Sequence, residues 1–524
     1  MSSMAMESAP TRRPPRPGVA TIALGALLVL SLCPILFVDI PAMVDYPNHL
    51  ARMSVLTRAG SSSPHPFYEV SWALYPNLAM DLLVPPLARL IGVETATRLL
   101  YLAGQILILS GAMALARAAR SSVVTAGVAA SLLLYSIPFA WAFVNFEFAL
   151  GLALWGIAAW IGLAGSRPAL RLGLHGVLVV LLYVSHLFAL GLYGIAIGLY
   201  ELWRSRQERW SLARTAGSLA LMAIPVVVWA ALAGALGSSV GGARTEWGFQ
   251  HKLGWLFFLN GFSREASMAL TVVLAVTAYA AARAGHLKLV GAGPWLAAGF
   301  GLLYLAMPFR LRDTAFVDVR VLVAAALILP AFLRLELPAG RWRMTVGIVL
   351  ALVALANLAV VAATQLSYRP DYRALVASFR LLNPGSRVLV GHSGDSPDPP
   401  PNYLDYPIYH APTLAVHYAD ALVPTLFTYA GKQPISIRET YRHLAPQEGG
   451  PVPLDLLLAA ADGRLRAETP PYFAGWTRDF DYLYLLGPKV PNPRSALLVP
   501  MSEGGRFTLY RIRRGMPAPG ATPP

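Results

Sequence analysis

The sequence predicts a polytopic α-helical membrane protein with a small α/β domain outside the membrane, and three observations support this fold class. Hydrophobic residues make up 56% of the 524-residue chain and charged residues only 13%, whereas a soluble protein carries about a quarter charged residues. Apolar runs long enough to cross a bilayer recur between residues 19 and 365. Residues 366–514 contain no such run and are richer in Pro, Asp and Tyr.

The apolar runs predict about 11 membrane spans. The fifth and sixth are the hardest to separate, because the stretch that holds both is too long for one span and short for two. Ser185 and His186 lie at the expected turn between them. The predicted spans are 19–41, 96–116, 122–143, 147–165, 170–185, 187–203, 214–237, 266–282, 288–307, 319–333 and 344–365.

Basic residues in the connecting segments predict the orientation of the spans. One alternating set of segments holds 16 Lys and Arg in 58 residues, and the other set holds 9 in 98. Cytoplasmic loops are the richer in Lys and Arg, so the first set is expected in the cytoplasm. This makes residues 1–18 a cytoplasmic tail. It places the first loop (residues 42–95) and the C-terminal domain (residues 366–514) on the opposite side of the membrane.

The net charge of +15 does not indicate nucleic-acid binding. Residues 366–524 hold 16 Lys and Arg against 13 Asp and Glu, so most of the excess positive charge lies in the membrane half. Short cytoplasmic loops account for such a bias. The lipid bilayer is therefore a predicted partner, and nucleic acid is not. The single cysteine, Cys33, can form no internal disulfide.

The C-terminal domain alternates between helical and strand patterns. Strands are predicted at "RVLVG", "FDYLYLLGP" and "RFTLYRIRR". Helical spacing is present in "PDYRALVASFRLL", "PTLAVHYADALV" and "PLDLLLAAA". The Pro- and Gly-rich end, residues 515–524, is predicted to be a disordered tail.

The first loop concentrates polar residues near the end of the first span. Its stretch "MVDYPNHLARM" contains Asp45 and His49 and opens an amphipathic segment that fits a helix on the membrane surface. A second amphipathic segment, "PNLAMDLLVPPLARLIG", contains Asp81. Asp45 fits the N-cap of the first helix, with Pro47 in its first turn, and it also fits a catalytic acid. His49 and Asp81 are candidates for binding a substrate, and His49 fits a satisfied surface group equally well.

Together these features resemble the GT-C fold of integral-membrane glycosyltransferases, especially bacterial relatives of the protein mannosyltransferases and the lipid A aminoarabinose transferases. The resemblance covers the short cytoplasmic N-terminus, the acid after span 1, two interfacial helices, the number of spans and the outer α/β domain. Asp45 matches the position of the family's catalytic acid, and Asp81 matches more loosely. Many members carry a second acid beside the first, where this sequence has Tyr46, so the chain resembles a divergent branch. The pieces "DYPNHLAR" and "ALVPTLFTYAGKQP" resemble uncharacterised bacterial members.

The resemblance implies an inverting transferase that takes a sugar from a polyprenyl-phosphate carrier at the outer face of the bacterial inner membrane. The acceptor would be a glycolipid such as lipopolysaccharide, a polysaccharide or a protein. An aspartate near apolar surface suits the general base that deprotonates such an acceptor. The departing phosphate needs fixed cations. No cofactor or metal is predicted.

Candidates for those cations lie in "MPFRLRDTAFVDVRVL", between spans 9 and 10. Arg310, Arg312 and Arg320 stand at an outer edge, against the positive-inside bias. Ion pairs with Asp313 and Asp318, or contact with lipid headgroups, would also explain them. Arg320 is the first candidate for the carrier phosphate, because the resemblance implies an Arg at the start of this span.

Four further residues are candidates for the same site. Arg244 and Lys252 lie on another outer loop and are second candidates for the phosphate. Glu147, at the outer end of span 4, fits either a cavity wall or a residue that reaches the membrane interface. His186 fits either a residue that faces the site or one that caps its turn.

Other motifs are too weak to define a site. "DFD" at Asp479–Asp481 resembles a metal-binding carboxylate pair for nucleotide sugars, which are absent outside the cell. "GHSGD" lacks the second Gly of a hydrolase elbow, because Asp395 occupies that position. His410 and His417 lie two helical turns apart, without further ligands at regular spacing. No Gly-rich phosphate loop indicates ATP.

Two other functions fit the sequence. A transporter of an amphiphilic substrate would concentrate polar groups at the middle of the membrane, whereas here they cluster at the outer ends and loops. A non-catalytic scaffold for envelope glycan assembly would tolerate the loss of Asp45, whereas a glycosyltransferase would not.

Overall fold

Apolar helices dominate the chain up to residue 378, as the hydrophobic runs predict. The structure is a computed structural model, and it describes residues 19–165, 167–235, 244–338, 340–394, 407–429, 431–466 and 469–513. Each predicted span overlaps a helix. These helices are α1 (Val19–Leu36), α4 (Val93–Ala118), α5 (Val123–Leu133), α7 (Val144–Gly162), α8 (Pro168–Ser185), α9 (Leu187–Gln207), α10 (Leu212–Ala235), α12 (Arg264–Arg283), α13 (Gly293–Ala306), α14 (Val317–Ile328) and α15 (Arg341–Ser378).

Within the described residues, 7 helices are long and apolar enough to cross a membrane by themselves. Three shorter apolar helices are Ile22–Leu36, Val123–Leu133 and Gly293–Ala306. The protein is therefore an integral membrane protein with a helical bundle, and the count of 11 spans stays a prediction.

The predicted break between the fifth and sixth spans is present. Helix α8 ends at Ser185, and α9 begins at Leu187. His186 between them has an extended backbone, with φ −169° and ψ 112°. This conformation interrupts the helix, and the first loop takes up the free backbone groups: Leu78 N donates to the Val184 carbonyl at 2.7 Å, and Leu187 N donates to the Pro76 carbonyl at 3.1 Å.

Two glycines bring α4 and α7 into close contact at the centre of the bundle. A Cβ added to Gly151 would lie 2.5 Å from the Cβ of Leu107, and one added to Gly111 would lie 2.9 Å from that of Leu154. Small residues allow this approach of helix backbones in a membrane. The contact fixes the start of α7, which lines the site described below.

The first loop contains helices α2 (Tyr46–Thr57) and α3 (Ala79–Ile91), with strand β1 (Tyr68–Val70) between them. The sequence predicts that α2 lies on the membrane surface, whereas the structure buries most of it. The reason is that α2 packs against α3, α4 and the C-terminal domain. Strand β1 pairs antiparallel with strand β5 (Ile435–Ile437) of that domain, with Tyr68 opposite Ile437.

The C-terminal domain is built on a five-stranded sheet of order β6-β4-β7-β9-β8. Strands β4, β6 and β7 are parallel, and β9 runs antiparallel to β7 and β8. The strands are β4 (Val388–His392), β6 (Val452–Pro453), β7 (Tyr482–Leu486), β8 (Leu498–Glu503) and β9 (Phe507–Ile512). The helices of the domain are α16 (Ala415–Tyr418), α17 (Leu454–Ala461) and α18 (Trp476–Asp479).

The α/β character of this domain is confirmed, with one difference at its start. The segment "PDYRALVASFRLL" is helical, but it continues the last membrane helix, because α15 runs through Pro370 to Ser378. The remaining elements are α6 (Ile137–Ala140), α11 (Lys252–Trp255), β2 (Leu287–Leu289) and β3 (Leu333–Leu335). The predicted tail 515–524 lies outside the described residues.

Candidate active site

A large cavity lies where the membrane helices meet the first loop and the C-terminal domain. Its volume is ≈ 1430 Å³, larger than the ≈ 300–1,000 Å³ that is usual for a small-molecule pocket. Its charged and histidine side chains are Asp45, His49, Arg52, His186, Arg244, Glu246, His251, Arg310, Arg312, Asp313, Arg320, His410, Lys432 and Glu448. One wall is apolar and belongs to α9 and α10, with Leu190, Gly191, Gly194, Ile195 and Val226.

The stretch "MVDYPNHLARM" forms the floor of this cavity through one face of α2. Asp45, Asn48, His49 and Arg52 follow the spacing i, i+3, i+4 and i+7, which places them on one side of a helix. Asn48 Oδ1 accepts a hydrogen bond from Phe427 N at 2.9 Å. His49 Nε2 lies 3.1 Å from the carbonyl oxygen of Ala142. The polar side chains therefore tie the first loop to the C-terminal domain and to the start of α7.

Asp45 stands at the N-cap position of α2, as the sequence indicates. Its side chain makes no capping hydrogen bond to the described backbone, so capping does not occupy the carboxylate. The side chain is 15% exposed and lines the cavity. The pKa of Asp45 is raised to about 7: burial is the largest cause, the Glu448 carboxylate adds to it, and Arg52 and Arg320 oppose it. A group with this pKa can exchange a proton near neutral pH.

Tyr46, which stands where many GT-C enzymes have a second acid, does not face the cavity. It is fully buried, and its ring packs against Tyr101 with the centroids 5.4 Å apart. Tyr46 therefore fills the core behind Asp45.

Arg320 is the cation held deepest in the cavity. It lies in the first turns of α14, only 4% exposed. Its guanidinium lies over the ring of Phe143 at 4.4 Å and near that of Phe146 at 5.5 Å. Among the described residues, no carboxylate lies within 4.0 Å of it, and its Nε and Nη1 atoms have no hydrogen-bond partner. The Asp45 carboxylate acts on Arg320 electrostatically, without direct contact. A buried guanidinium whose N–H groups touch no anion is the arrangement that a ligand phosphate would complete.

The other two arginines of this segment lie toward the cavity mouth. Arg310 Nε pairs with Glu246 Oε2 at 3.0 Å, and Arg244 forms an ion pair with the same carboxylate. Arg312 lines the cavity with an exposed side chain. The partner of Arg310 is thus Glu246, rather than the Asp313 or Asp318 that the sequence suggests.

The structure removes Lys252 from the candidates for the phosphate. Its Nζ donates to the carbonyl oxygens of Tyr304 and Met307, each at 2.8 Å, and lies 3.4 Å from Asp318 Oδ2. The two charged side chains are 7% and 0% exposed. Lys252 therefore neutralises a buried carboxylate and fixes the loop 244–256 to α13 and α14.

We expect Lys252→Met to destabilise the protein strongly, because it leaves Asp318 buried without a counter-charge. The loss expected from breaking a buried ion pair is about 3–5 kcal/mol. Thermal unfolding of the detergent-purified variant measures this loss. The double variant Lys252→Met/Asp318→Leu is the control, and it should recover most of the stability. Equal stability of Lys252→Met and the unchanged protein would contradict this role.

Asp81 and Glu147 are also absent from the cavity wall, contrary to the expected binding role. Asp81 Oδ1 lies 2.9 Å from Arg52 Nε in a buried ion pair that joins α3 to α2. Glu147 is only 6% exposed, which excludes a residue at the solvent interface. Its backbone packs against Gly104 of α4. Asp81 acts on the site only through Arg52, which does line the cavity.

His186 faces the cavity from the break between α8 and α9. Its side chain does not cap α9 within the described structure. Its ring meets that of Phe146 edge-on at 5.4 Å, and its buried Nδ1 has no hydrogen-bond partner among the described residues. Of the two roles that the sequence allows, the geometry favours the one that faces the site.

The C-terminal domain contributes site residues that sequence patterns do not indicate. His410 Nε2 lies 3.7 Å from Asp45 Oδ1. Lys432 Nζ lies 3.3 Å from Glu448 Oε1, and both residues line the cavity. The stretch "ALVPTLFTYAGKQP", which carries part of the family resemblance, includes Phe427 and Lys432. That resemblance is the one signal that pointed toward this part of the chain.

The side chains of the weaker motifs, "DFD", "GHSGD" and His417, make structural contacts outside the cavity. Asp479 pairs with its neighbour Arg478, and Asp481 with Arg387. Ser393 donates to the carbonyl oxygens of Leu486 and Pro488. His417 lies 2.9 Å from Ser54 Oγ, away from the cavity. The described residues contain no cluster of three or more His, Cys, Asp or Glu that could hold a metal ion.

The fold and the cavity together define an integral-membrane protein with the GT-C fold. The chain superposes on ArnT from Cupriavidus metallidurans bound to undecaprenyl phosphate, with a TM-score of 0.51 and 14% identity, over 94% of this chain and 97% of that one. It also matches the arabinofuranosyltransferase AftD from Mycobacteria, with a TM-score of 0.45 and 15% identity, over 94% of this chain and 40% of that one. No protein-family model and no curated protein sequence matches the chain.

Proposed function

We propose that the protein is an inverting glycosyltransferase of the bacterial inner membrane, with its site at the periplasmic face. It would transfer a sugar from a polyprenyl-phosphate carrier to a glycolipid, polysaccharide or protein acceptor. The observation that carries the proposal is the placement of Asp45 and Arg320 in one cavity, an acid with a pKa near neutrality and a buried cation with no carboxylate in direct contact among the described residues. The shared fold with ArnT bound to undecaprenyl phosphate supports it.

The two residues have separate roles in this reaction. Asp45 accepts the proton of the acceptor hydroxyl or amine as that group attacks the anomeric carbon. The bond between the anomeric carbon and the phosphate oxygen breaks, and the phosphate leaves with the bonding electrons. Arg320 stabilises the charge that develops there. Arg244, Arg310 and Arg312 at the mouth, and His49 and His186 along the wall, would bind the rest of the donor and the acceptor.

The apolar wall suits the lipid part of the donor. Gly191 and Gly194 leave open space where a Cβ would stand, and they lie with Val226 beside the polar part of the cavity. A polyprenyl chain in the bilayer could then reach the cavity with its phosphate at Arg320. Each Å² of apolar surface that the isoprenoid chain and this wall remove from water stabilises binding by about 25 cal/mol.

The raised pKa of Asp45 predicts how the reaction rate depends on pH. A general base acts only when it is deprotonated, so the rate should rise with pH through an apparent pKa near 7. Below that pH the rate should fall about tenfold per pH unit. Initial rates with a saturating lipid-linked donor between pH 5 and about 9 measure the profile. A rate that stays constant between about pH 5 and 7 would exclude Asp45 as the base.

The experiment that tests the function itself compares the surface glycans of the source organism with and without the gene. Mass spectrometry should show a glycan whose mass falls by one sugar residue when the gene is deleted, and re-expression should restore it. Binding of undecaprenyl phosphate to the protein in lipid nanodiscs tests the donor class separately. Unchanged glycans together with no binding would contradict the proposed function.

A further inference from the structure

The contact between His410 and Asp45 joins two parts of the protein that are far apart in sequence. His410 precedes the 3₁₀ turn Ala411–Leu414 of the C-terminal domain, and Asp45 lies in the first loop. The Nε2 and Oδ1 atoms are 3.7 Å apart, and the two side chains are 8% and 15% exposed. Both line the same cavity. In the absence of substrate, hydrogen bonds of this kind are often long and shorten in the reacting complex.

Aromatic rings hold the imidazole of His410 in place. The ring of Tyr409 lies edge-on at 5.1 Å, and that of Phe427 lies edge-on at 5.2 Å. The backbone of Phe427 is in turn held by Asn48 of α2. One turn of α2 and one loop of the C-terminal domain therefore fix both members of the pair.

The charge state of His410 follows from its surroundings. Burial lowers its pKa to about 3, so the imidazole is neutral at pH 7 and has one N–H donor. Its Nδ1 has no hydrogen-bond partner among the described residues. Nε2 is the ring nitrogen that faces Asp45, and at 3.7 Å from Oδ1 it stands just beyond hydrogen-bond distance. A shift of a few tenths of an ångström would let an Nε2–H donate to the carboxylate. The other charged and titratable groups around the pair are His49, Arg52, Tyr101, Arg320 and Glu448.

We propose that His410 is a positioning residue of the C-terminal domain, which donates its Nε2–H to the Asp45 carboxylate and holds that carboxylate toward the cavity. This inference rests on the proposed function. Its consequence is that the C-terminal domain is part of the active site, because the base is held in its working orientation only when the domain is docked. Displacement of a reacting group by about 1 Å can cost about 10²-fold in rate.

The test follows the titration of Asp45 by infrared spectroscopy, which needs no knowledge of the donor sugar or the acceptor. The band of the protonated Asp45 carboxyl is assigned by its loss in Asp45→Asn. His410→Ala should raise the midpoint of that band by about one pH unit, because a hydrogen bond to the charged carboxylate is lost. Glycan formation in cells should fall about 10²-fold. His410→Gln, which keeps an N–H donor, should restore both the Asp45 midpoint and the glycan level.

A matched control is His417→Ala. His417 also belongs to the C-terminal domain and contacts the first loop, through Ser54 at 2.9 Å, but it does not line the cavity. It should leave the Asp45 midpoint unchanged. Binding of undecaprenyl phosphate should be the same in the unchanged protein, His410→Ala, His410→Gln and His417→Ala, which shows that each variant is folded.

Two outcomes would overturn the inference. In one, His410→Ala changes neither the midpoint nor the glycan level. In the other, His410→Ala and His410→Gln are equally defective while the midpoint stays in place, which indicates a packing role alone. Neither outcome affects the proposed function, which is tested separately by deletion of the gene, by binding of undecaprenyl phosphate and by Asp45→Asn.

Discussion

Asp45→Asn is expected to abolish glycan transfer while the protein still folds. The amide has nearly the same shape as the carboxylate but cannot accept the acceptor's proton, and loss of a general base costs about 10²–10⁴-fold in rate. A deletion strain that expresses the variant should therefore show the same surface glycans by mass spectrometry as a strain without the gene. Asp45 makes no capping bond in the described structure, so α2 should remain stable.

The control for this variant is its membrane level, thermal stability and binding of undecaprenyl phosphate, all of which should match the unchanged protein. A second control is Asp81→Asn, which weakens the ion pair with Arg52. Asp81→Asn should lower the thermal stability of the protein but should retain most of the glycan transfer. Survival of the glycan in Asp45→Asn would remove Asp45 as the base and would favour a scaffold without catalytic function.

Arg320→Ala is expected to weaken the binding of undecaprenyl phosphate by about 10- to 100-fold. Hydrogen bonds to charged groups contribute about 1.5–3 kcal/mol, and Arg320 is buried with Nε and Nη1 unpaired among the described residues. Titration of nanodisc-embedded protein with the lipid measures the affinity. Arg320→Lys should recover part of it, since Lys keeps the charge but loses the bidentate geometry.

Arg89→Ala is the matched control, because Arg89 is an exposed arginine of the first loop outside the cavity. It should leave the affinity unchanged. Equal affinity of Arg320→Ala and the unchanged protein would contradict the assignment of the phosphate to Arg320 and would leave the arginines of the cavity mouth as the alternative.

The fold class could be predicted from the sequence because the membrane imposes it. A helix that crosses a bilayer needs a long apolar run, and each predicted span has a helix in the structure. The break at His186 was visible because the combined apolar run exceeds one membrane thickness. The burial of α2 was not predictable, because a helix covered by a separate domain and a helix on a lipid surface can have the same amphipathic pattern.

Part of the site could be predicted for a similar reason. Asp45 and Arg320 stand next to the ends of membrane helices, and the sequence identified these positions through the bias against outer arginines and the family resemblance. His410 was considered only as a metal ligand, because nothing in its local sequence reveals that it meets Asp45, which lies 365 residues earlier. Contacts of that separation are set by tertiary packing.

Charge pairing explains the candidates that the structure placed elsewhere. Lys252 and Asp81 belong to buried ion pairs, with Asp318 and Arg52. A residue that forms a buried ion pair and a residue that binds a charged ligand can be of the same type and lie at similar positions in a sequence. The sequence alone therefore does not distinguish them. Only the structure shows that Arg320 makes no such direct ion pair among the described residues.

The location of polar groups also distinguishes a glycosyltransferase from a transporter. A transporter needs its binding site near the middle of the membrane. The cavity instead lies between the helix ends, the first loop and the C-terminal domain, and it includes His410 and Lys432 of that domain. This placement favours chemistry at one membrane surface over passage across the bilayer.

The position of a bound carrier lipid tests the account most directly. We expect a cryo-electron microscopy map of the protein with undecaprenyl phosphate to place the phosphate within hydrogen-bonding reach of the Arg320 guanidinium, with the Asp45 carboxylate facing the same space. Density for the phosphate at another part of the protein, or a carboxylate turned into the packed core, would contradict it.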